Sequence, residues 1–432
     1  MSATAIAEVR GWRVWDSRGR PTVEAEVLLA GGASGRAIAP AGASCGSGEA
    51  VDLRDGGPPF GGYDVRDALS RISTTIAPAL SGADAADQAA IDRALIDLDG
   101  TPDKSRLGGN AMIAVSMAAA HAAAAAAGLP LWRWLGGEAP PRLPLPEIQI
   151  FGGGAHAGRR VDVQDFMVIA VGAESYAQAL DWSSEVYRCA GALMAADGRL
   201  YGVADEGGWW PAFDANEDAF ALIVRAIEWA GLIPGEDVAI AIDVAASEFG
   251  RGGRYRLALD ESDLDSDGMC ELLLDWIARY PIVSVEDALA EDDDAGMTAF
   301  TQAAGSRVQV VGDDYTATDA ARIQAAAKRG ACNTALIKPN QAGTLTETLA
   351  ALLAARQAGW GAIVSARSGE SEDVTIVHLA VGWGVEQLKV GSFARSERLA
   401  KWNEGLRIAR ACGADGSLPP RTDFAWSRST GA

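Results

Sequence analysis

The chain has 432 residues, of which 49% are hydrophobic and 22% charged, and its formal net charge is −21 at pH 7. This length predicts two or three domains, and the acidic excess argues against nucleic acid and anionic membranes as partners. No apolar run reaches the ~18 residues of a membrane span, and no basic and apolar leader begins the sequence, so we expect a cytoplasmic protein. Five scattered cysteines favour reduced thiols, and three histidines argue against a histidine-based metal site.

The first 137 residues predict a separate α+β domain. Alternating apolar and polar residues from 6 to 29 indicate a hairpin that turns at Ser17-Arg18-Gly19-Arg20-Pro21. A third strand over 34–39 precedes a Gly-rich segment, 40–50, which is typical either of a loop that closes over a ligand or of a plain connector. Helical patterns follow at 65–80, 87–98 and 110–127.

Short apolar runs that end in charged or polar residues organise the second domain, 138–432. Successive run ends lie 43, 27, 25, 27 and 24 residues apart, at Asp243, Glu286, Asp313, Lys338, Ser365 and Lys389. One strand, one helix and two loops need ~25–30 residues, so this repeat predicts a βα barrel. Functional side chains of such barrels lie at the C-terminal ends of the strands.

The strand ends combine carboxylates with lysines. Asp243, Glu286 and Asp313 would repel one another unless a cation lay between them, and ligands that are all oxygen favour Mg²⁺. Lys338 and Lys389 would then serve as a base or as an anion clamp. A structural ion pair at the barrel rim is the alternative for Asp313 and Lys338.

Two further segments carry candidate residues. His156, in a Gly-rich stretch, is either an acid or phosphate contact or simply a solvated loop histidine, and Asp165 lies just inside the next strand. Glu206 precedes two glycines and two tryptophans, and a carboxylate beside aromatic bulk is expected to have a raised pKa, as a proton donor requires. The alternative is an exposed turn carboxylate. Flanking helices are expected over 174–196 and 216–230.

Many short motifs occur in order along almost the whole chain. They are DSRGRPTVE, GAS, EAVDLRDG, LDGTPDKSRLGGNA, GGAHA, QDFM, DEGG, AIDVAASEF, SVEDALAEDD, VGDD, LIKPNQAGTLTET, SARSGESED and GSFARSER. With these motifs the chain resembles the enolase (phosphopyruvate hydratase) family. The resemblance implies an α/β fold with an enolase-type (βα)8 barrel behind the N-terminal α+β domain. It also implies a homodimer or higher homo-oligomer and a small anionic phospho- or phosphono-carboxylate substrate.

The resemblance assigns roles to individual residues. Asp243, Glu286 and Asp313 match the ligands of a first Mg²⁺, and Ser44 matches a ligand of a second Mg²⁺ that arrives with the substrate. Lys338 matches the base that removes the C2 proton of 2-phosphoglycerate, with a pKa lowered by Mg²⁺ and Lys389. Glu206 matches the acid that helps the C3 hydroxyl leave. The implied substrate contacts are His156, Gln164, Asp165, Ala366, Arg367, Ser368 and Lys389.

Three positions depart from the family pattern. Ala366 replaces a histidine, Asp165 a glutamate and Gly152 an asparagine, and each change removes side-chain volume. A smaller lining predicts a larger ligand. We therefore expect a carboxyphosphonoenolpyruvate synthase of the kind found in phosphinothricin-type antibiotic pathways. The alternatives are a glycolytic phosphopyruvate hydratase and a non-catalytic protein on an enolase scaffold. Arg20, Ala288 and Pro339 also differ from the family and have no assigned role.

Overall fold

The computed structural model describes residues 2–43, 46–413 and 416–427. It contains an N-terminal α+β domain and a closed eight-stranded barrel, as the sequence predicted. The N-terminal sheet is formed by β1 (Ile6–Trp15), β2 (Pro21–Leu29) and β3 (Ser34–Ile38), which are antiparallel neighbours. Arg20, in the hairpin turn, lies over the ring of Tyr63 at 4.0 Å, which gives this residue a structural role.

Five α-helices complete the N-terminal domain in the part that the structure describes, and a π-helical segment, Ile72–Ile76, joins the first two of them. They are α1 (Arg66–Arg71), α2 (Ala77–Leu80), α3 (Gln88–Asp99), α4 (Gly109–Ala126) and α5 (Leu131–Gly136). By length and composition α4 could cross a membrane, but 83% of it is buried within the protein. A Cβ on Gly35 would lie 2.2 Å from the Ala122 nitrogen, so glycine lets β3 approach the backbone of α4 directly.

The barrel strands close in the order β10-β11-β12-β13-β14-β4-β5-β6. Their bounds are β4 (Leu145–Gly152), β5 (Asp165–Ile169), β6 (Ala239–Asp243), β10 (Ile282–Glu286), β11 (Gln309–Gly312), β12 (Thr334–Ile337), β13 (Gly361–Ser365) and β14 (Gln387–Gly391). A small antiparallel sheet, β7 (Gly250–Arg251), β8 (Arg254–Leu257) and β9 (Ser262–Asp265), lies between β6 and β10. This insertion explains the 43-residue step in the predicted repeat.

One barrel strand differs from the parallel repeat that the sequence predicted. Strand β5 is antiparallel to both β4 and β6. Its first residue, Asp165, is therefore paired with the last residue of β6, Asp243. The reversal places the start of β5 at the same mouth of the barrel as the ends of its neighbours.

Helices surround the barrel and most begin with a side-chain cap. Their bounds are α6 (Tyr176–Ala196), α7 (Asp218–Trp229), α8 (Ser266–Arg279), α9 (Asp294–Ala304), α10 (Ala320–Arg329), α11 (Pro339–Ala342), α12 (Leu345–Gln357), α13 (Thr375–Gly382) and α14 (Ser396–Cys412). The side chains of Ser175, Asp265, Asp293, Asp319 and Thr344 accept hydrogen bonds from the first turns that follow them.

The two domains are joined by packing and by polar contacts. Leu345 and Leu379, from barrel helices α12 and α13, belong to the hydrophobic core of the N-terminal domain. Lys104 Nζ lies 2.8 Å from Glu347 Oε1, and the Ile38 amide donates to Asp373 Oδ2 at 2.8 Å. These contacts fix the N-terminal domain beside the barrel mouth.

Candidate active site

Most of the predicted site residues line one cleft at the barrel mouth. The residues that line it are Ala43, His156, Gln164, Asp165, Glu206, Asp243, Lys338, Ser365, Ala366, Arg367, Ser368, Lys389 and Val390. Glu286 and Asp313 lie behind this lining, where they contact Lys389 and Lys338. Ser44, matched to the second Mg²⁺, lies outside the described residues.

The three carboxylates predicted to bind Mg²⁺ are all buried, and two different lysines contact them. Asp243 Oδ2 and both oxygens of Glu286 accept hydrogen bonds from Lys389 Nζ at 2.8–2.9 Å. Asp313 instead contacts Lys338 Nζ. Lys389 therefore neutralises Asp243 and Glu286, and Lys338 separately neutralises Asp313.

Asp313 also belongs to a second group of acidic side chains. One oxygen each of Asp287, Asp313 and Asp314 lie within 4.8 Å of one another. Asp287 accepts the backbone N–H groups of Asp313 and Asp314 at 2.9 Å, so it fixes the loop that carries Asp313. Burial raises the pKa of Asp314 to about 8, and the charge of Asp313 adds to this effect.

The donor set at the strand ends fits Mg²⁺. Asp243, Glu286 and Asp313 end the neighbouring strands β6 and β10 or follow β11, and all of their side-chain donors are oxygen. Burial, and then the charge of Asp243, raise the pKa of Glu286 well above its usual range, so a cation here would relieve a real electrostatic cost. Gln164 Oε1 is buried and has no hydrogen-bond partner among the described residues.

Lys338 lies where the sequence placed it, at the end of β12. Its backbone N–H donates to Thr318 Oγ1 at 2.9 Å, and Pro339 is the first residue of α11. Proline at this position is preorganised for a helix start, so it helps to fix the lysine backbone. Burial alone would lower the pKa of Lys338, but the charge of Asp313 outweighs it and raises the pKa. Lys389 acts to lower the pKa of Lys338, as expected, but by less than Asp313 raises it, and the lowering by Mg²⁺ stays a prediction.

On the other side of the cleft His156 lies between two carboxylates. Its Nδ1 is 3.0 Å from Asp165 Oδ1, and its Nε2 is 3.8 Å from Glu206 Oε1. The ring is buried, so the alternative of a solvated loop histidine is wrong. Burial would lower the pKa of His156, but the charges of Asp165 and Glu206 raise it to about 9.

The expected raised pKa of Glu206 is also wrong. Glu206 is buried, and burial does act in that direction. The charge of His156, followed by that of Arg398, nevertheless holds the pKa of this carboxyl below its ordinary value. Trp209, close to Glu206 in sequence, stacks on Tyr187 with ring centroids 4.5 Å apart. Positive charge, rather than aromatic bulk, controls the ionisation of Glu206.

The predicted phosphate binders lie on the loop after β13. Both terminal nitrogens of Arg367 contact the carboxylate of Glu49, at 2.9 and 3.1 Å, and one also contacts Asn340. Ser368 Oγ accepts a hydrogen bond from Arg18 Nη1 at 3.2 Å. Glu49 was expected only as part of the Gly-rich segment 40–50, so this ion pair across the domain junction was not predicted.

Of the three positions that depart from the family pattern, two line the cleft and one does not. Ala366 and Asp165 line the cleft. At Gly152, however, a Cβ would lie 2.6 Å from the Cβ of Ala204 and 3.2 Å from Gln149 Nε2. Protein atoms occupy that space, so the absent side chain at Gly152 gives no room to a ligand.

Gln149, which was not predicted as a site residue, connects Asp165 at the start of β5 with Gly208 in the loop that carries Glu206. Its Nε2 donates to Asp165 Oδ1, and its Oε1 accepts the Gly208 N–H at 2.7 Å. A Cβ on Gly208 would lie 2.5 Å from that Oε1, so Gly208 and Gly152 both leave room for Gln149. The available signal was a polar residue within the apolar run of β4.

Arg398, on α14, is a second positioning residue that was missed. Its side chain is completely buried. The guanidinium donates to the carbonyl oxygens of Arg367, Ser368 and Val390 at 2.6–2.9 Å. It thereby fixes the loop after β13 and the end of β14, both of which line the cleft.

A barrel mouth that combines buried carboxylates with two lysines and an arginine defines a metal-dependent enzyme for a small anionic substrate. Comparison with known proteins agrees with this class. Residues 6–135 match the model for the enolase N-terminal domain, and residues 141–422 match that for the enolase C-terminal TIM barrel domain. The chain is 45% identical over 428 residues to "Enolase 1" of Desulfitobacterium hafniense (strain Y51), with 98% of each protein covered. The chain belongs to the enolase family and is a Mg²⁺-dependent lyase.

Proposed function

We propose that this chain removes the C2 proton and the C3 hydroxyl of 2-phosphoglycerate to give phosphoenolpyruvate and water. The observation that carries the proposal is that Lys338 and Glu206, a base and an acid, line the same cleft. The name of the relative "Enolase 1" supports this dehydration, so it is preferred over carboxyphosphonoenolpyruvate formation. Because the chain belongs to a family of lyases, we do not propose that it is a non-catalytic protein on an enolase scaffold.

Mg²⁺ at Asp243, Glu286 and Asp313 would supply a Lewis acid that stabilises negative charge on the substrate carboxylate. Ser44 is proposed to ligate a second Mg²⁺. Proton transfer and substrate binding are carried out by side chains of the protein. Lys338 Nζ would accept the C2 proton in its neutral form, and Mg²⁺ held by Asp313 would favour that form because it offsets the carboxylate charge that raises the pKa of Lys338. The position of Lys338 is fixed by Asp313 and by the start of α11.

The acid end of the cleft helps the hydroxyl to leave. Glu206 and His156 lie 3.8 Å apart, so a proton held by the imidazole is available beside the carboxylate. Asp165, at 3.0 Å from Nδ1, keeps the other ring nitrogen oriented. Arg367, Ser368 and Lys389 supply positive charge and hydrogen bonds for the anionic groups of the substrate. We also propose a homo-oligomer and a cytoplasmic location, which the sequence expectations support.

Absorbance of phosphoenolpyruvate formed from 2-phosphoglycerate and Mg²⁺ tests the reaction. Lys338→Ala should abolish exchange of the C2 proton with deuterium, because no other base is assigned to that proton. Lys328→Ala, at an exposed position on α10, is the matched control and should exchange normally. Normal exchange by Lys338→Ala would refute the assignment of the base.

Ala366 favours a second candidate, carboxyphosphonoenolpyruvate formation. Its small side chain lines the cleft where a histidine is expected from the family pattern. Loss of one hydrogen bond to a charged group costs about 1.5–3 kcal/mol, or roughly 10- to 150-fold in rate if it acts in the transition state. Ala366→His should therefore raise turnover of 2-phosphoglycerate and exclude a carboxyphosphono substrate. Steady-state kinetics of both proteins with both substrates distinguish the candidates.

A further inference from the structure

We propose that Glu147 is a positioning residue that receives the ammonium group of Lys389 when Mg²⁺ takes Asp243 and Glu286. Lys389 would then keep an anionic partner inside the barrel while it binds an anionic group of the substrate. The inference rests on the proposed function, in its Mg²⁺ ligands and in its substrate, and the experiment below measures metal binding and turnover separately.

Glu147 lies beside Lys389 inside the barrel. The two residues are Cα partners in the parallel ladder between β4 and β14. Paired residues of neighbouring strands project from the same face of a sheet, and Lys389 lines the cleft, so both side chains project into the barrel. Burial raises the pKa of Glu147 to about 7, and the charge of Lys389 opposes that effect. The two charges therefore act on each other.

The carboxylate of Glu147 is buried and incompletely used. The residue is 1% exposed, and its Oε2 has no hydrogen-bond partner among the described residues. An ionised group in such surroundings costs free energy relative to an apolar side chain of similar size. Buried polar atoms of native proteins nearly always have a partner, so an exception calls for an explanation. The unused oxygen is explained if a cationic donor reaches it when the metal binds.

Lys389 and Mg²⁺ compete for the same carboxylates. Lys389 Nζ donates to Asp243 Oδ2 at 2.9 Å and to the two oxygens of Glu286 at 2.8 and 2.9 Å. These two residues are also proposed Mg²⁺ ligands. An ammonium group and a divalent cation repel each other strongly at such distances in a buried site. Binding of the metal would therefore favour movement of Lys389 Nζ towards another anion.

Two other carboxylates act on Lys389. Asp165 Oδ2 is 3.8 Å from Lys389 Nζ, but Asp165 Oδ1 is 3.0 Å from His156 Nδ1, and that contact orients the acid end of the cleft. Glu147 offers an oxygen that no donor among the described residues uses. It is therefore the carboxylate that can hold Lys389 without loss of another contact.

Glu147→Met tests this role, because methionine has a similar size and no carboxylate. The thermal unfolding midpoint of the metal-free variant should not fall, since a buried carboxylate with an unused oxygen is removed. Its Mg²⁺ dissociation constant should nevertheless rise roughly 10-fold or more in isothermal titration at pH 8, above the pKa of Glu147. A residue that only packs the barrel would lose stability and Mg²⁺ affinity together. Glu147→Gln, which is closer in shape, gives the same readouts if the methionine variant unfolds.

Glu386→Met is the matched control. Glu386 is a partly buried glutamate just before β14, and its Oε2 accepts the Ala362 N–H at 3.3 Å. This variant also removes one carboxylate next to the same strand, but it leaves the surroundings of Lys389 unchanged. Its Mg²⁺ affinity should equal that of the parent.

A double-mutant cycle with Lys389→Met separates positioning from a plain effect of charge. If Glu147 acts through the lysine, Glu147→Met should change Mg²⁺ affinity less than about 2-fold in the Lys389→Met background. An equal loss in both backgrounds would overturn the proposal, because the carboxylate would then act on the metal directly. Unchanged Mg²⁺ affinity in Glu147→Met alone would overturn it as well.

Steady-state kinetics at saturating Mg²⁺ test the substrate part. Glu147→Met should raise KM for 2-phosphoglycerate and keep kcat within about 2-fold, because Lys338 and Glu206 are untouched. A fall in kcat with unchanged KM would contradict the role of Glu147 in holding Lys389 for the substrate. Coupling in Mg²⁺ binding without any turnover of 2-phosphoglycerate by the parent would refute the proposed function and leave the role of Glu147 intact. Turnover without coupling would do the reverse.

Discussion

Replacement of Gln149 by methionine tests how the acid end of the cleft is positioned. Methionine has a similar length and volume but neither donates to Asp165 nor accepts from Gly208. The variant therefore removes both contacts of the glutamine while it keeps the packing between Gly152 and Gly208. We expect Asp165 to lose its fixed orientation towards His156.

The magnitude follows from the two lost hydrogen bonds. A hydrogen bond to a charged group contributes about 1.5–3 kcal/mol, and a buried N–H left without an acceptor costs about 1–3 kcal/mol. The free energy of unfolding should therefore fall by roughly 2.5–6 kcal/mol. If the Asp165 contact is felt in the transition state, kcat should fall roughly 10- to 150-fold. KM should change little, because Arg367 and Ser368 remain in place.

Denaturant unfolding and steady-state kinetics measure the two effects separately. Gln309→Met is the matched control, because Gln309 is a buried barrel glutamine whose side-chain nitrogen bonds a neutral partner, Gln387 Oε1, at 2.6 Å. It should cost about 1–3 kcal/mol of stability, because the buried Gln387 Oε1 loses its donor, and leave kcat unchanged. Gln149→Glu keeps an acceptor for Gly208 but faces Asp165 with a like charge, so its kcat should fall at least as far.

The reasoning fails if Gln149→Met unfolds more easily yet keeps the kcat of the parent. It also fails if Gln149→Glu retains full activity. In either case Gln149 would be a packing residue with no influence on the orientation of Asp165.

Three further predictions concern charge. Asp313→Asn should abolish activity and weaken Mg²⁺ binding in a titration, and undiminished binding would place the site elsewhere. Glu49→Gln should lower the thermal unfolding midpoint, because breaking a buried ion pair costs about 3–5 kcal/mol. The same variant should have a lower KM, because the substrate phosphate no longer shares Arg367 with a carboxylate. An increase in KM would contradict that reading. The pKa of His156 is raised from its ordinary value of 6.5 to about 9 in the folded protein. This shift contributes on the order of 3 kcal/mol to the free energy of unfolding, fully present below pH 6.5 and lost as pH rises through 9. His156→Gln should therefore destabilise the protein more at pH 6 than at pH 10 in urea unfolding, and an equal loss at both would refute it.

The sequence predicted the elements whose signal is local. The hairpin, the helices and the barrel follow from alternation and from spacing, and the cleft residues follow from motifs. The reversed direction of β5 had no such signal, because a short apolar run has the same pattern in either direction. Its orientation is set by its pairing with β4 and β6, which only the folded barrel contains.

The errors at the site have a common physical origin. The pKa of Glu206 was judged from its sequence neighbours, yet it is controlled by His156 and by Arg398, which is almost 200 residues away along the chain. The space at Gly152 was likewise judged without Ala204, which fills it. Charges and volumes act through space, so a motif can name a site residue without giving its environment.

The ion pair between Glu49 and Arg367 couples the evolution of the two domains. Glu49 belongs to the N-terminal domain, and the arginine that it holds belongs to the barrel. A barrel recombined with a foreign N-terminal domain would place its arginine against whatever residue that domain supplies. Substitutions at either position are therefore expected to be accepted together or not at all, so the two halves of this chain must diverge as a pair.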